Sequence, residues 1–314
     1  MKDLLKTENL SRADFEKVLD TSALYAQNPL AHSTHLANES VAVYMTKPST
    51  RTRIASETAV AHLGGTPIFI RGDELQIGRG ETIADTARII SGYCKALIIR
   101  TFAQSDIDEL GKWGSIPVIN GLSDIDHPTQ LLADWVTIRE KFGKDISGRK
   151  FAYLGDGNNM AYAWAIAGAI MGAHTVIATP PGKWALPNEA INLASEIAQI
   201  HGGVIEVTHD AQAAAKDASV LYTDVWMSMG DAESLRAEKL EALTPFAVTE
   251  KLMSLTASDS IFMHCLPAHR GEEVEASVLD GNRSVIWREA FHRRTTIQAL
   301  LYHLTKGDLE GSGL

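Results

Sequence analysis

The stretch VAVYMTKPSTRTRIASETAVAHLGG, residues 41–65, decides the fold class. It opens with an apolar run typical of a β-strand, continues with a polar turn, and then shows helical periodicity up to two glycines. Ser49 is suited to cap the helix. The predicted packing face consists of Ile54, Ala55, Thr58, Ala59 and Leu63. A buried strand followed directly by a helix is the unit from which parallel α/β sheets are built.

The same alternation continues along almost the whole chain. The further apolar runs are TPIFI (66–70), ALIIR (96–100), IPVIN (116–120), KFAYL (150–154), HTVIAT (174–179), GVIEV (203–207), SVLYT (219–223) and IFMH (261–264). Several are apolar at successive positions, as expected of strands that are covered on both faces. We therefore predict two doubly wound parallel-sheet α/β domains, with a C-terminal helix from Arg288 to Leu304 that crosses back onto the first domain.

A helical stretch at residues 127–145 joins the two predicted domains and ends before a turn-like Ile-Ser-Gly sequence at 146–148. We place the boundary there. The predicted first domain is residues 1–144, the second is residues 145–287, and residues 288–314 form the returning C-terminal segment.

Composition limits the class of protein. The 314 residues are 45% hydrophobic and 22% charged, which suits two globular domains with sizeable cores. No apolar run approaches the roughly 18 residues of a membrane helix, and the first residues lack the apolar stretch of a signal peptide. We therefore expect a cytoplasmic protein that does not bind membranes.

Charge and cysteine usage exclude other classes of site. The formal net charge of −10 argues against sequence-independent binding to nucleic acid, and an anionic substrate would have to be bound by local arginines and backbone donors. Cys94 and Cys265 stand in no CxxC pair and no metal-ligand spacing, so we predict neither a disulfide nor a metal site.

Polar clusters follow strand after strand, at the ends where open parallel sheets bind ligands. The clusters are residues 46–53, Arg100 with Thr101, residues 126–130, 155–159, Asp224 with 228–230, and 264–267. Residues 49–53 combine a helix N-terminus with hydroxyl and guanidinium groups, which predicts a phosphate site. The alternative is a capped surface helix with two solvated arginines.

Four of these clusters together resemble one family. Ser-Thr-Arg-Thr-Arg (49–53), His-Pro-Thr-Gln (127–130), Asp224 with Ser-Met-Gly (228–230), and His-Cys-Leu-Pro (264–267) are similar to the aspartate/ornithine carbamoyltransferase superfamily. The last two favour its ornithine branch. The resemblance runs from about residue 2 to the end. It implies transfer of the carbamoyl group from carbamoyl phosphate to the side-chain amine of L-ornithine, giving citrulline in arginine metabolism.

The resemblance also implies roles for individual residues. Those implied to bind carbamoyl phosphate are Ser49, Thr50, Arg51, Thr52, Gln76, Arg100, His127, Gln130, Cys265, Leu266 and Arg293. Those implied to bind ornithine are Asn159, Asp224, Ser228 and Met229. The implied catalytic residues are Arg100, His127, Asp224 and Cys265. Gln76 matches a loop that reaches into a neighbouring subunit, which implies a homotrimer with shared active sites.

Each role has an alternative when the residue is taken alone. His127 could be a capping or core histidine, Cys265 an inert buried thiol, and the loop around Gln76 a polar turn. The Gly-Asp-Gly-Asn-Asn segment at 155–159 resembles a nucleotide-binding turn but lacks the full G-x-G-x-x-G pattern, so no cofactor is predicted.

Some positions depart from the family pattern. Arg288, Phe291 and His292 surround the matching Arg293, Met45-Thr46-Lys47 replaces a more usual Phe-Glu-Lys, and residues 160–164 are less polar than usual. Two other hypotheses therefore stay open: a paralogous carbamoyltransferase for another amine or amino acid, and a protein that keeps the fold only for binding. The intact ligand residues argue against the second.

Overall fold

A computed structural model describes residues 1–77, 80–228 and 231–313. Two parallel sheets lie within these ranges. Their strands are β1 (Ser40–Met45), β2 (Thr66–Arg71), β3 (Ala96–Arg100), β4 (Val118–Leu122), β5 (Lys150–Leu154), β6 (His174–Ala178), β7 (Val204–Thr208), β8 (Ala218–Thr223) and β9 (Ile261–His264). Every predicted run coincides with a strand, although β4 begins two residues later than predicted.

Helices connect the strands. They are α1 (Arg12–Gln27), α2 (Thr50–His62), α3 (Ile83–Tyr93), α4 (Gln104–Trp113), α5 (Pro128–Phe142), α6 (Asn159–Ile170), α7 (Asn188–His201), α8 (Ala211–Ala215), α9 (Arg236–Leu243), α10 (Glu250–Met253), α11 (Ala276–Leu279) and α12 (Ile286–Lys306). None of the helices in the described ranges combines the length and the apolar character that crossing a bilayer requires. The predicted α/β class is confirmed.

The chain divides into two compact units. The first comprises Met1–Val136 and Ala290–Leu314, and the second comprises Thr137–Glu289. Most of α12 therefore belongs to the first unit, in agreement with a C-terminal helix that returns to it. The domain boundaries near residues 144 and 288 stay predictions.

The strand order of the first sheet fixes where its polar segments meet. The order is β2-β1-β3-β4, so the chain winds outward in opposite directions from the neighbouring strands β1 and β3. In open α/β sheets the crevice at such a switch point binds ligands. Met45 at the end of β1 lies opposite Arg100 at the end of β3. The start of α2 and the side chain of Arg100 therefore belong to the same edge.

The second sheet repeats this arrangement in the order β7-β6-β5-β8-β9, with its switch point between β5 and β8. Leu154 pairs with Thr223, and Thr223 pairs with His264. The segments that follow β5, β8 and β9 therefore begin side by side. This register brings the glycine-rich turn at 155–159 close to Asp224 and Cys265.

One predicted packing residue is wrong. Ile54 was expected in the buried face of α2 but is 58% exposed. The buried side chains of this helix are Thr52, Ala55, Ser56, Ala59 and Val60. At 3.6 residues per turn, Ile54 lies about 200° of rotation from Thr52, on the opposite face. The helix is thus anchored by small side chains, which bring its first turn close to the sheet.

Candidate active site

The N-terminus of α2 has the predicted cap. Ser49 is the N-cap residue, and its Oγ accepts a hydrogen bond from the backbone N–H of Thr52 at 3.2 Å. Thr50 is exposed and Arg51 is half-buried in the first turn. The turn therefore presents hydroxyls, a guanidinium group and backbone N–H groups, all of which favour an anion.

Arg293 connects α12 to α2 and α5 inside the first unit. The side chain is 2% exposed. Its Nη1 donates to Gln130 Oε1 at 2.5 Å and lies 3.4 Å from His127 Nε2. Its Nη2 donates to the hydroxyls of Thr129 at 3.2 Å and Thr52 at 3.3 Å. Residues up to 241 positions apart in sequence thus form one hydrogen-bonded cluster.

His127 is held in its neutral form. Burial lowers the pKa of this imidazole well below its usual value, and the positive charges of Arg293, Arg100 and Arg51 lower it further. A neutral imidazole has one nitrogen that donates and one that accepts. The cluster therefore places several cationic groups around a histidine that can give a hydrogen bond without carrying a charge.

Asp126 fixes the chain just before this histidine. It is fully buried, and its carboxylate accepts from the backbone N–H of His127 at 2.7 Å. The hydroxyl of Thr7 also donates to it at 3.0 Å, and the Thr7 N–H donates as well. Burial raises the pKa of Asp126 to about 7, despite these hydrogen bonds that stabilise the charged form.

In the second unit, Asp224 collects three donors at the end of β8. Its Oδ1 accepts from the backbone N–H of Val225 at 2.7 Å and from the thiol of Cys265 at 2.9 Å. Its Oδ2 accepts from the side-chain amide of Asn158 at 2.9 Å. The side chain is only 6% exposed. A carboxylate in direct contact with a thiol can pass a proton between them.

The loop after β9 is fixed on both sides of Cys265. His264 Nδ1 accepts from the backbone N–H of Leu266 at 2.8 Å, so the ring proton lies on Nε2, 3.3 Å from Glu273 Oε1. The backbone N–H of His264 donates to Glu289 at 3.0 Å. Leu266 adopts a φ of 58°, a left-handed conformation that is strained for a bulky residue. Buried side chains therefore hold the backbone that presents Cys265.

Two groups of side chains in the described ranges have the spacing of metal ligands. Asp224, His264 and Cys265 form one, and His269, Glu272 and Glu273 form the other. Both ring nitrogens of His264 are engaged within the protein, by Leu266 and Glu273. Glu272 is paired with Arg236. These contacts occupy ligand atoms in each group, and the expected absence of a metal site stays a prediction.

Models of known protein families match both halves of the chain. The aspartate/ornithine carbamoyltransferase carbamoyl-P binding domain matches residues 2–140, and the Asp/Orn binding domain of the same enzymes matches residues 147–304. The chain belongs to the aspartate/ornithine carbamoyltransferase family.

Individual relatives agree with this assignment. The chain is 44% identical to an ornithine carbamoyltransferase of Pyrococcus horikoshii, over 98% of this chain and 96% of the relative. Among solved structures, the ornithine carbamoyltransferase of Pyrococcus furiosus is 41% identical with a TM-score of 0.89, covering 98% of this chain and 99% of that one. The anabolic enzyme of Campylobacter jejuni is 35% identical with a TM-score of 0.91, covering 98% and 100%.

Most residues predicted from the family resemblance lie at the two strand edges. In the first unit they are Ser49, Thr50, Arg51, Thr52, Arg100, His127 and Gln130. Arg293 of α12 contacts two of them, Thr52 and Gln130, through its side chain. In the second they are Asn159, Asp224, Ser228, Cys265 and Leu266. Gln76 is exposed in the loop after β2 and does not belong to the Arg293 cluster. Met229 lies outside the described residues.

The departures from the family pattern near Arg293 make other contacts. Arg288 forms a two-point ion pair with Glu140, with nitrogen–oxygen distances of 2.7 and 2.5 Å. Phe291 is 37% exposed. His292 is fully buried, with Nδ1 3.1 Å from the hydroxyl of Thr295. These residues leave the contacts of Arg293 with Gln130 and Thr52 in place.

Sequence reasoning missed Asn158 and Glu273. The family match pointed to Asn159, the first residue of α6, whereas Asn158 is its N-cap and donates to Asp224. The strong preference for asparagine at the N-cap is the signal that could have identified it. Glu273 stands in an ordinary acidic turn, and no local pattern shows that it is buried against His264.

Proposed function

We propose that this protein transfers the carbamoyl group of carbamoyl phosphate to the side-chain amine of L-ornithine, giving L-citrulline and phosphate. The observation that carries the proposal is the Arg293 cluster, in which Thr52, His127 and Gln130 meet one buried arginine at the N-terminus of α2. It is supported by the family membership and by relatives named ornithine carbamoyltransferase.

The phosphate of the donor substrate is bound at the start of α2. Backbone N–H groups of this turn and the hydroxyls of Ser49, Thr50 and Thr52 donate to its oxygens, while Arg51 and Arg100 supply positive charge. Because the chain carries a net charge of −10, long-range attraction does not help this anion, and the local donors have to provide the affinity.

The carbamoyl end is bound by His127, Gln130 and Arg293. When the amine attacks, negative charge grows on the carbonyl oxygen, and donors aimed at that oxygen stabilise the transition state more than the ground state. A neutral His127 donates without losing a proton. The side chain of Gln130 is fixed at both ends, because its Oε1 accepts from Arg293 and its Nε2 donates to Asp134 Oδ1 at 2.8 Å.

The second unit supplies the amino-acid side of the reaction. Asn159, Asp224, Ser228 and Met229 bind the α-amino and α-carboxylate groups of ornithine. The side-chain amine of ornithine has a pKa of about 10.4, as for lysine, and is therefore protonated at neutral pH. Only the neutral form attacks the carbamoyl carbon. The Cys265–Asp224 pair, with 2.9 Å between Sγ and Oδ1, favours or creates that form.

The transfer step then balances. The amine nitrogen forms a bond to the carbamoyl carbon, the bond from that carbon to the phosphate oxygen breaks, and phosphate leaves with the electron pair. The nitrogen gives up one proton to the Cys265–Asp224 pair or to the leaving phosphate. Cys265 and Leu266 also contact the carbamoyl group, and no cofactor takes part.

The domains follow from these roles. Residues 1–144 bind carbamoyl phosphate, residues 145–287 bind ornithine, and residues 288–314 return Arg293 to the first domain. We further propose a cytoplasmic homotrimer in which Gln76, exposed in its own chain, completes the carbamoyl phosphate site of a neighbouring subunit.

An assay with a panel of amines tests the proposal. Ornithine, putrescine, acetylornithine and lysine are each offered with carbamoyl phosphate, and the carbamoylated product is measured by mass. We expect the highest kcat/KM with ornithine, because backbone and Asp224 groups shaped for an α-amino acid would be left unpaired by a simple diamine. Turnover of another amine without turnover of ornithine would identify a paralogous carbamoyltransferase instead.

A further inference from the structure

Lys239 is a buried cation that the proposed mechanism does not use. It lies in α9 and is 3% exposed. Its Nζ is 2.7 Å from Asp156 Oδ2 and 2.7 Å from Asp231 Oδ2. A lysine is almost never buried unless its charge is paired. Burial lowers the pKa of Lys239, but Asp156 and Asp231 outweigh this effect and the net pKa is raised. The ammonium group is therefore charged.

Both carboxylates belong to segments that carry proposed ornithine-binding residues. Asp231 Oδ2 accepts from the backbone N–H of Ser228 at 3.0 Å as well as from Lys239. Asp156 lies in the turn at 155–159, which contains Asn159 and also Asn158, the donor to Asp224. The hydroxyl of Tyr153 lies 2.9 Å from the carbonyl oxygen of Asp156 and 3.2 Å from Asn158 Oδ1.

We infer that Lys239 is a positioning residue for the amino-acid site: it ties the segment after β8 that contains Ser228 to the turn after β5 that holds Asn158 against Asp224. The inference rests on the proposed function and adds the residue that sets the distance between the two ornithine-binding segments. Lys239 itself does not touch the substrate.

The charge balance gives Lys239 a second effect. Asp156 interacts electrostatically with Asp231 and with Asp224, the carboxylate that is proposed to bind the ammonium of ornithine. The single positive charge of Lys239 is shared between Asp156 and Asp231 and offsets one of their two negative charges, which leaves Asp224 as the preferred partner for a cationic substrate. Without the lysine, two uncompensated carboxylates compete for the ammonium groups and repel one another, and the segments that carry them move apart.

Steady-state kinetics with varied ornithine and varied carbamoyl phosphate test the inference. Lys239→Met keeps the aliphatic stem but removes the charge, and we expect the KM for ornithine to rise by roughly ten- to a hundredfold, since small misplacements of binding groups have effects of that size. The KM for carbamoyl phosphate should stay within about twofold. Lys239→Arg should recover most of the ornithine affinity, because it keeps a positive charge between the two carboxylates.

Two further variants complete the design. Lys183→Met is the matched control, because Lys183 also pairs with a carboxylate, Glu238 at 2.5 Å, but its side chain is 49% exposed; its KM values should not change. Asp231→Asn leaves Lys239 paired with Asp156 and keeps the test valid if Lys239→Met does not fold; its KM for ornithine should rise as well, by a smaller factor.

The inference is overturned if folded Lys239→Met or Asp231→Asn shows a wild-type KM for ornithine, or if both substrates lose affinity equally. It is also overturned if Lys239→Arg is as impaired as Lys239→Met. Absence of citrulline formation by the wild-type protein would instead refute the proposed function, so the two failures are distinguishable.

Discussion

Replacement of Arg51 by alanine should disable the carbamoyl phosphate site while leaving the fold intact. Arg51 is half-buried in the first turn of α2, and its charge acts on the buried His127. A hydrogen bond to a charged group contributes roughly 1.5–3 kcal/mol. A two-point arginine–phosphate contact worth about 3 kcal/mol corresponds to about a 150-fold change in Kd.

Arg53, two residues further along the same helix, is the matched control. It is exposed, donates to Glu57 Oε1 at 3.0 Å, and lies 3.6 Å from the centre of the Phe69 ring. Arg53→Ala therefore removes the same type of charge from the same helix without touching the proposed site. Its Kd for carbamoyl phosphate should stay within about threefold of wild type, because exposed ion pairs contribute little.

Titration calorimetry with carbamoyl phosphate measures both variants, and thermal unfolding shows that they are folded. The reasoning is refuted if Arg51→Ala binds with a Kd within threefold of wild type. It is equally refuted if Arg53→Ala loses as much affinity as Arg51→Ala, because the helix would then act only through its overall charge.

Three other predictions concern a buried acid, the thiol and the subunit interface. Asp126 has a raised pKa of about 7, so the native state keeps a proton that the unfolded chain loses near pH 4, and this group destabilises the fold as the pH rises from about 4 to 7. Urea titrations at several pH values measure the unfolding free energy of the wild type and of Asp126→Asn. Between pH 4 and 7 the fall in this free energy should be less steep in Asp126→Asn, by up to about 1.4 kcal/mol per pH unit. The same slope in both proteins would contradict the assignment. Cys265→Ser should lower kcat by about a hundredfold at pH 7, with partial recovery at higher pH as neutral ornithine becomes more abundant. Cys94→Ser is the control and should keep wild-type kcat, because Cys94 is the half-buried C-cap residue of α3 and is not among the proposed site residues. If sites are shared in a trimer, mixing inactive Arg51→Ala and Gln76→Ala subunits should restore up to about a quarter of the activity, and no recovery after verified subunit exchange would argue against a shared site.

The fold was predictable because its signals are local. Runs such as KFAYL and ALIIR correspond to β5 and β3 residue for residue. Their length and continuous apolar character reflect burial on both faces of a parallel sheet, which leaves little freedom for another structure. The prediction for Ile54 was wrong because it assumed that a large apolar side chain faces the core, whereas small residues such as Ala55 and Ala59 form the buried face of α2.

The site was predictable only in part. The strand ends indicated the polar segments, and the family resemblance implied roles for residues within them and for Arg293, which lies in α12; those roles stay predictions. No spacing rule indicates that Arg293 reaches Thr52 across 241 positions, because that contact depends on how α12 returns to the first unit. Such long-range contacts are set by tertiary packing.

Lys239 illustrates what a local pattern hides. In the sequence it belongs to RAEKLEAL, a charged helical segment that is typical of a solvated surface helix. Its burial depends on two partners: Asp156, which lies more than eighty positions earlier, and Asp231, which lies shortly before α9. A pairing of this kind becomes visible only when β5 and the segment after β8 are placed side by side.

The central claim is that this chain moves a carbamoyl group from phosphate to the side-chain nitrogen of ornithine. Carbamoyl phosphate labelled with ¹³C at the carbonyl carbon tests it directly, when it is incubated with ornithine and the protein and followed by ¹³C and ³¹P NMR. The account predicts that the label appears in the ureido carbon of citrulline, with one phosphate released for each citrulline formed. Phosphate release with the label only in carbon dioxide or bicarbonate, and ornithine unchanged, would contradict it.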